Sequence, residues 1–245
     1  MSIYALSIFS IAIFRLSLAA ESELPVTTCK RNMVDYSACL KHALEEAWPR
    51  FVKGLPEFDF PSLDPLFFKY GRIALNSNEI RIEIIVSNAT GIGLANTRFF
   101  YVRTHYVNNV FRLEFDAQIP SIFLKGSLKI NGTLNAFRLA GEGPFNVTVD
   151  DLRATWDFTG NVVNDTWIVE HFRFAIASLK NLKIYGDNLF EGNKELNNLI
   201  LIFVNEYWPA IYRPLLPFIS DFLDTSLVEF PNKIFSKVSF SKVFP

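Results

Sequence analysis

The stretch NKELNNLILIFVNEYWPAIYRPLLPFISDFLDTSLVEF, residues 193–230, is the longest apolar run with helical spacing in the chain. Leu196, Leu199, Phe203, Tyr207, Ile211, Leu215, Ile219 and Phe222 recur every three or four residues and so line one face of a helix. Ile200, Val204, Trp208, Tyr212, Leu216 and Leu223 widen that face, leaving a narrow polar strip of Asn197, Asn205, Glu206, Arg213 and Asp221. A helix apolar over most of its girth is expected inside a protein. A bilayer span is not expected, because Asn205 and Glu206 interrupt the run and a crossing needs roughly 20 apolar residues. Pro209, Pro214 and Pro217 each remove an amide donor and crowd a carbonyl one turn back, which predicts a kink or break near Pro209 and Pro214. A helix of roughly 30 residues is about 45 Å long, so a sheet that covers it has to be long as well.

Upstream, from Ile80 to Ile184, the period changes to two. Ile80, Ile82, Ile84 and Val86 alternate with charged residues, as do Phe111, Leu113 and Phe115. Leu128, Ile130 and Leu134 follow, then Phe145, Val147 and Val149, then Leu152, Trp156 and Phe158, and finally Phe172, Phe174 and Ile176. Each set is a strand with one dry and one wet face, as antiparallel sheets have. Asn108-Asn109 and Asn164-Asp165 suit tight hairpins. The expected architecture is α+β: an antiparallel sheet curled around the long C-terminal helix, in a single domain over residues 21–245.

Before the strands, Asp35 is placed to cap a helix through Leu40, Leu44, Ala47, Trp48 and Phe51, with Gly54 as its stop and Pro49 near its end. Residues 54–65 are rich in proline and are expected to form an extended connector. At the N-terminus, residues 1–20 read as a secretory signal: Ile3 to Phe14 are apolar, and Ser17 and Ala19 are the small residues of a cleavage site. Asn88, Asn131, Asn146 and Asn164 each begin an Asn-x-Thr glycosylation triplet, which also points to export and a secreted, extracellular protein. Asn131 and Asn146 fall on the polar sides of their strands, where a glycan has to stand. Cys29 and Cys39 are the only cysteines; in an oxidising compartment they are expected to form one disulfide, the alternative being two buried thiols.

Composition excludes several functions. With 24 basic against 25 acidic residues and no basic run, there is no footprint for nucleic acid or an anionic membrane. His42, His105 and His171 have no metal-ligand spacing, so neither metal nor cofactor is expected. There is no Gly-x-Ser-x-Gly elbow, and the adjacent carboxylates Asp150-Asp151 and Glu45-Glu46 point apart on strand or helix. No catalytic constellation is present. Twenty-five phenylalanines in a chain that is half apolar hint at an apolar cavity, or at a well-filled core.

The motifs resemble those of the takeout and juvenile-hormone-binding family of insect secreted proteins. Residues 54–66, GLPEFDFPSLDPL, are similar to the family's "GIPELGIPSLDPL", and Cys29 and Cys39 match its N-terminal disulfide pair. Gly132, with Gly141-Glu-Gly143, resembles its glycine-bearing long strand followed by a glycine-rich turn. Residues 189–196, LFEGNKEL, and 205–208, NEYW, resemble "LFNGDKELG" and "NENW" at the start of the long helix, and the terminal Phe244-Pro245 also fits. The resemblance is closer to takeout than to the haemolymph hormone carriers, which have additional cysteines. It implies a tubular lipid-binding fold, a strongly curved sheet wrapping a long helix around an apolar tunnel, and carriage of terpenoids such as juvenile hormone or of fatty-acyl lipids.

By periodicity alone the inward aromatics fill a core; the resemblance makes them a tunnel lining. On that reading Phe111, Leu113, Phe115, Leu128, Ile130, Phe145, Val147, Trp156, Phe174, Phe203, Tyr207 and Tyr212 line the ligand space, and Tyr101, Tyr207, Tyr212 and His105 are candidates to meet a polar end. The carrier is expected to be a monomer without stable membrane insertion. The competing readings are a secreted interaction or signalling protein with a side-chain-filled tunnel, and a hydrolase of lipid esters using one of the histidines.

Overall fold

The computed structural model describes residues 24–76, 80–134 and 137–245; the signal segment 1–20 lies outside them. Helix α1 (Tyr36–Lys53) begins after Asp35, whose side chain makes no capping bond, and ends at Gly54 with φ of 90°. Seven strands follow among the described residues: β1 (Leu66–Asn76), β2 (Ile80–Ile92), β3 (Arg98–Val107), β4 (Val110–Leu134), β5 (Phe137–Val163), β6 (Thr166–Ser178) and β7 (Asn181–Gly186). Helix α2 (Lys194–Leu227), α3 (Glu229–Phe235) and a short α4 (Phe240–Val243) complete the chain.

All strand pairings are antiparallel in one sheet built on β4 and β5, which pair along nearly their whole lengths. At 25 and 27 residues, each of these strands runs roughly 80 Å along its path. The sets 111–115 and 128–134, read separately in the sequence, are therefore one strand, as are 145–149 and 152–158. In one half of the sheet β3 and β6 flank them; in the other, β2 with β1 outside it, and β7. The hairpins at Asn108-Asn109 and Asn164-Asp165 form where expected, all four residues at positive φ. At Pro120 and Asp151 both strands change which parity faces inward: Ile119 and Leu152 are buried, and beyond the break Ile122 and Val149 take the inner side.

In the β3–β6 half, α1 lies on the inner face through Leu40, Ala43, Ala47 and Trp48, and a continuous core joins it to Phe99, Val102, Phe111, Phe115 and Trp167 and to Phe240 and Phe244 of the chain end. Residues 54–65 are not extended. A tight turn at Pro56–Phe58 brings Leu55, Phe58 and Phe60 into a second core with Ile234 and Val238. The carboxylate of Asp64 accepts from the amides of Gly93 (2.9 Å) and Ala95 (2.8 Å), fixing the β2–β3 connection. Gly141-Glu-Gly143 is not a turn but the interior of β5. The segment 187–190 crosses there so closely that a side chain at either glycine would overlap its backbone.

Helix α2 spans the other half and closes the trough between its edges. Its backbone leaves helical geometry at Tyr207 (φ −106°, ψ 17°), two residues before Pro209. The expectation that the helix is enclosed holds for one face only. Leu199, Ile202, Phe203 and Tyr207 are each more than half exposed on the other, and Asn197 is its one buried residue.

Candidate ligand-binding interior

Strand register defines the inner wall of the α2 half. Leu75 and Ile73 of β1 sit beside Ile82 and Ile84 of β2; Ile84 and Val86 sit beside Ile130 and Leu128 of β4; Val147 and Val149 of β5 sit beside Ile184 and Leu182 of β7. Lys125, Lys129 and Asn131 alternate with the wall and are exposed on the outside. Facing it from α2 are Ile200, Val204, Trp208, Ile211, Tyr212, Leu215 and Ile219.

The two halves differ in how completely that wall is covered. In the α1 half more of the inward side chains are fully buried, Phe111 and Trp167 being at most 1% exposed, and an apolar pocket of about 90 Å³ remains beside Leu40, Val102, Leu113 and Phe115. In the α2 half Ile82, Ile84, Val86, Leu128, Ile130, Phe145, Val147, Leu182, Ile184 and the facing helix residues all keep part of their surface open.

The expected lining residues therefore separate. Leu128, Ile130, Phe145, Val147 and Tyr212 lie on the unsealed interior. Phe111 and Phe115 belong to the core under α1, with Leu113 packed against it, and Leu113 and Phe115 also line a small apolar pocket there with Leu40, Leu44, Phe51 and Val102. Trp156 and Phe174 stand between: Trp156 stacks on Phe115 (5.4 Å between centroids) and meets Trp48 (6.4 Å) and Phe174 (5.5 Å) edge-on. Phe203 and Tyr207 pack on each other (5.0 Å) on the outer side of α2 and do not line the interior. The helical period put them on a shared apolar face, but α2 has apolar residues on both sides and only one side meets the sheet.

Of the polar candidates Tyr212 alone is on the inner side. Tyr101 donates to Glu114 on the convex face (3.1 Å), and burial raises its pKa; His105 is exposed. Charge collects on that convex face: Arg112 is bonded to both carboxylate oxygens of Asp157 (2.8 and 2.7 Å) and to Glu114 (2.7 Å), and Asp157 holds its pKa up. Sequence reading missed Trp208, whose ring meets Tyr212 at 5.5 Å, as a lining residue; its place one turn before Tyr212 was the available signal.

Asn88, Asn131 and Asn164 are exposed, and Asn146 is half-buried with its neighbour Tyr185 exposed on the outer face. Cys29 and Cys39 form the disulfide. Among the described residues no cluster of His, Cys, Asp and Glu could hold a metal, and no helix is long and apolar enough to cross a membrane. His171 lies 3.8 Å from Asp224 beside a groove that also holds Ser220. The Ser220 hydroxyl donates to the Phe174 carbonyl (3.4 Å), so the three are not linked as nucleophile, base and orienter.

The haemolymph juvenile hormone binding protein (JHBP) family matches residues 8–245. The chain belongs to this family. Among JHBP-family relatives it resembles the circadian clock-controlled protein daywake of Drosophila yakuba, at 20% identity over 226 residues, 88% of this chain and 86% of that one. Daywake of Drosophila melanogaster is 20% identical over 229 residues, with the same coverage. The crystal structure of Epiphyas postvittana Takeout 1 superposes with a TM-score of 0.70 at 19% identity, covering 89% of this chain and 99% of that one. The JHBP fold is thus shared: a long, curved, open antiparallel sheet with a long C-terminal helix, in a family of binding proteins for small hydrophobic ligands.

Proposed function

We propose that residues 1–20 are removed as a signal and that residues 21–245 form one domain, a secreted carrier of a small hydrophobic molecule, either a terpenoid such as juvenile hormone or a fatty-acyl lipid. The ligand lies between the inner wall of β1, β2, β4, β5 and β7 and the facing side of α2, against Leu128, Ile130, Phe145, Val147, Trp208 and Tyr212. The observation that carries this reading is the partly exposed apolar wall of the α2 half, set against the more completely buried side chains of the α1 half of the same trough. Burying on the order of 400 Å² of ligand surface there yields about 10 kcal/mol gross, and ordering costs leave micromolar to nanomolar affinity. Binding involves no covalent step, and the polar groups of Ser220, His171 and Asp224 serve the attachment of α2.

Titration with dansyl-labelled undecanoic acid tests the proposal. One molecule is expected to bind per chain, displaceable by terpenoids or fatty acids, and Val147→Trp is expected to weaken it at least tenfold by filling the interior. Absence of saturable binding, or a Val147→Trp variant that binds as well as the original, counts against it.

A further inference from the structure

Helix α2 meets the two edges of the trough in different ways. Along β6 and β7 it is bonded. The carboxamide of Asn205 accepts from the amide of Ile184 and donates to the carbonyl of the same residue, both at 2.7 Å. Asn197 does the same for Leu189 (3.1 Å) and Gly186 (3.0 Å). Further along, Asp224 accepts from the amide of Phe172 (2.5 Å) and Ser220 donates to the carbonyl of Phe174. Asn232 of α3 continues the line on Val169, at 2.8 and 2.7 Å.

Along β1 the contact is of another kind. Among the described residues no side chain of α2 hydrogen-bonds to β1, which pairs only with β2. Phe222 touches Phe68 edge-on (5.7 Å) and rests over Gly71, where a Cβ would come within 2.7 Å of its ring. Beside this contact a groove of about 340 Å³ opens at the surface, lined by Tyr70, Gly71, Ile73, Phe218, Phe222 and Thr225 among others. The ends of the trough offer less. In the α1 half an apolar pocket of only about 90 Å³ remains among Leu40, Leu44, Phe51, Val102, Leu113 and Phe115, beside a core closed by Phe240 and Phe244, and at the far end residues 187–190 lie across Gly141 and Gly143.

We propose that the seam between β1 and α2 is the portal through which the ligand enters and leaves, with α2 rolling about its bonded line on β6 and β7. This rests on the carrier reading above. Directional bonds to edge backbone groups are lost within a fraction of an ångström, so that side stays fixed. A ring sliding over a glycine has no such requirement. An apolar guest passing there replaces one apolar contact with another. Gly71 is what lets Phe222 lie close across the seam and still move aside.

Two cysteine pairs separate this portal from other routes: Ala74→Cys with Thr225→Cys across the β1 groove, and Tyr185→Cys with Ile202→Cys across the β7 side. Each is bridged after folding with a short bis-maleimide, leaving the oxidised Cys29–Cys39 pair untouched, and each unbridged variant is its own control for folding. Uptake of dansyl-labelled undecanoic acid is followed by stopped-flow fluorescence and its affinity by equilibrium titration. Bridging 74 to 225 is expected to slow uptake and release at least tenfold and to leave the affinity within about threefold; bridging 185 to 202 is expected to leave both rates within twofold. Unchanged rates in the 74–225 bridge, with normal affinity, overturn the portal and leave the carrier intact. If the unmodified protein takes up no probe at equilibrium, the carrier reading fails and the portal falls with it.

Discussion

The carboxamide of Asn205 occupies the place a neighbouring strand would take, satisfying the amide and carbonyl of Ile184 on the open edge of β7. Asn205→Ala is expected to leave both groups unpaired and to destabilise the fold by about 1–3 kcal/mol, measured by urea denaturation. Asp165 does similar work at the other end of the chain. It accepts from the Ser239 hydroxyl, and from the Ser241 amide (2.8 Å) and hydroxyl (3.0 Å), and the Ser239 bond holds its carboxyl below the ordinary range. A depressed folded-state pKa contributes stability that is present above the unfolded value and lost as pH falls through the folded one. The protection factors of the amides of Phe240 and Phe244, which divide out the intrinsic pH dependence of exchange, are therefore expected to fall on acidification below the ordinary carboxylate range. In Asp165→Asn they are expected to be low already at neutral pH and nearly independent of acidification. Neither role was legible from sequence. Asn205 read only as part of a narrow polar strip because its partner lies 21 residues away, and Asp165 read only as a hairpin residue.

Helix α2 shows what helical spacing can and cannot reveal. The extent of the helix and a break near Pro209 follow from Leu196 through Phe222 and from the prolines, and both are observed. Which side faces the sheet does not follow, since Leu199, Ile202 and Phe203 are as apolar as Ile200 and Val204. Ile202→Ser is accordingly expected to change stability by no more than about 0.5 kcal/mol, whereas Phe111→Ala in the sealed core is expected to cost about 3–5 kcal/mol; thermal or chemical denaturation of the two variants distinguishes an outer from an enclosed position. Strands β1, β3 and β7 went unread for different reasons. The inner side of β1 switches parity between Phe68 and Gly71, a register shift against β4 between Phe99 and Tyr101 interrupts the alternation of β3, and β7 is only six residues long. At the start of α1, the Cys29–Cys39 bridge closes a short loop, and its replacement by serines is expected to cost about 2–4 kcal/mol in denaturation experiments.

Over the whole molecule, two strands shared by both halves carry two different interiors. Phe111, Phe115, Trp48 and Trp167 make one half a conventional core under α1, which can anchor the long sheet without any guest. In the other half a single helix faces a wide curved wall, and Leu128, Ile130, Phe145 and Val147 and the facing residues from Ile200 to Ile219 stay partly exposed. The α+β architecture and the family were legible because alternation, the 54–66 motif and the 193–230 helix are local patterns. The division into a more and a less completely buried half was not, because it depends on where α1 and the chain end fold back, which Phe111 and Leu128 do not reveal in their own neighbourhoods. Native mass spectrometry of the protein from a secreting host tests this division most directly. A mass increment from one noncovalently bound lipid per chain, lost in Val147→Trp, is the predicted result; a bare polypeptide with its glycans that accepts no lipid from a panel of terpenoids and fatty acids would contradict it.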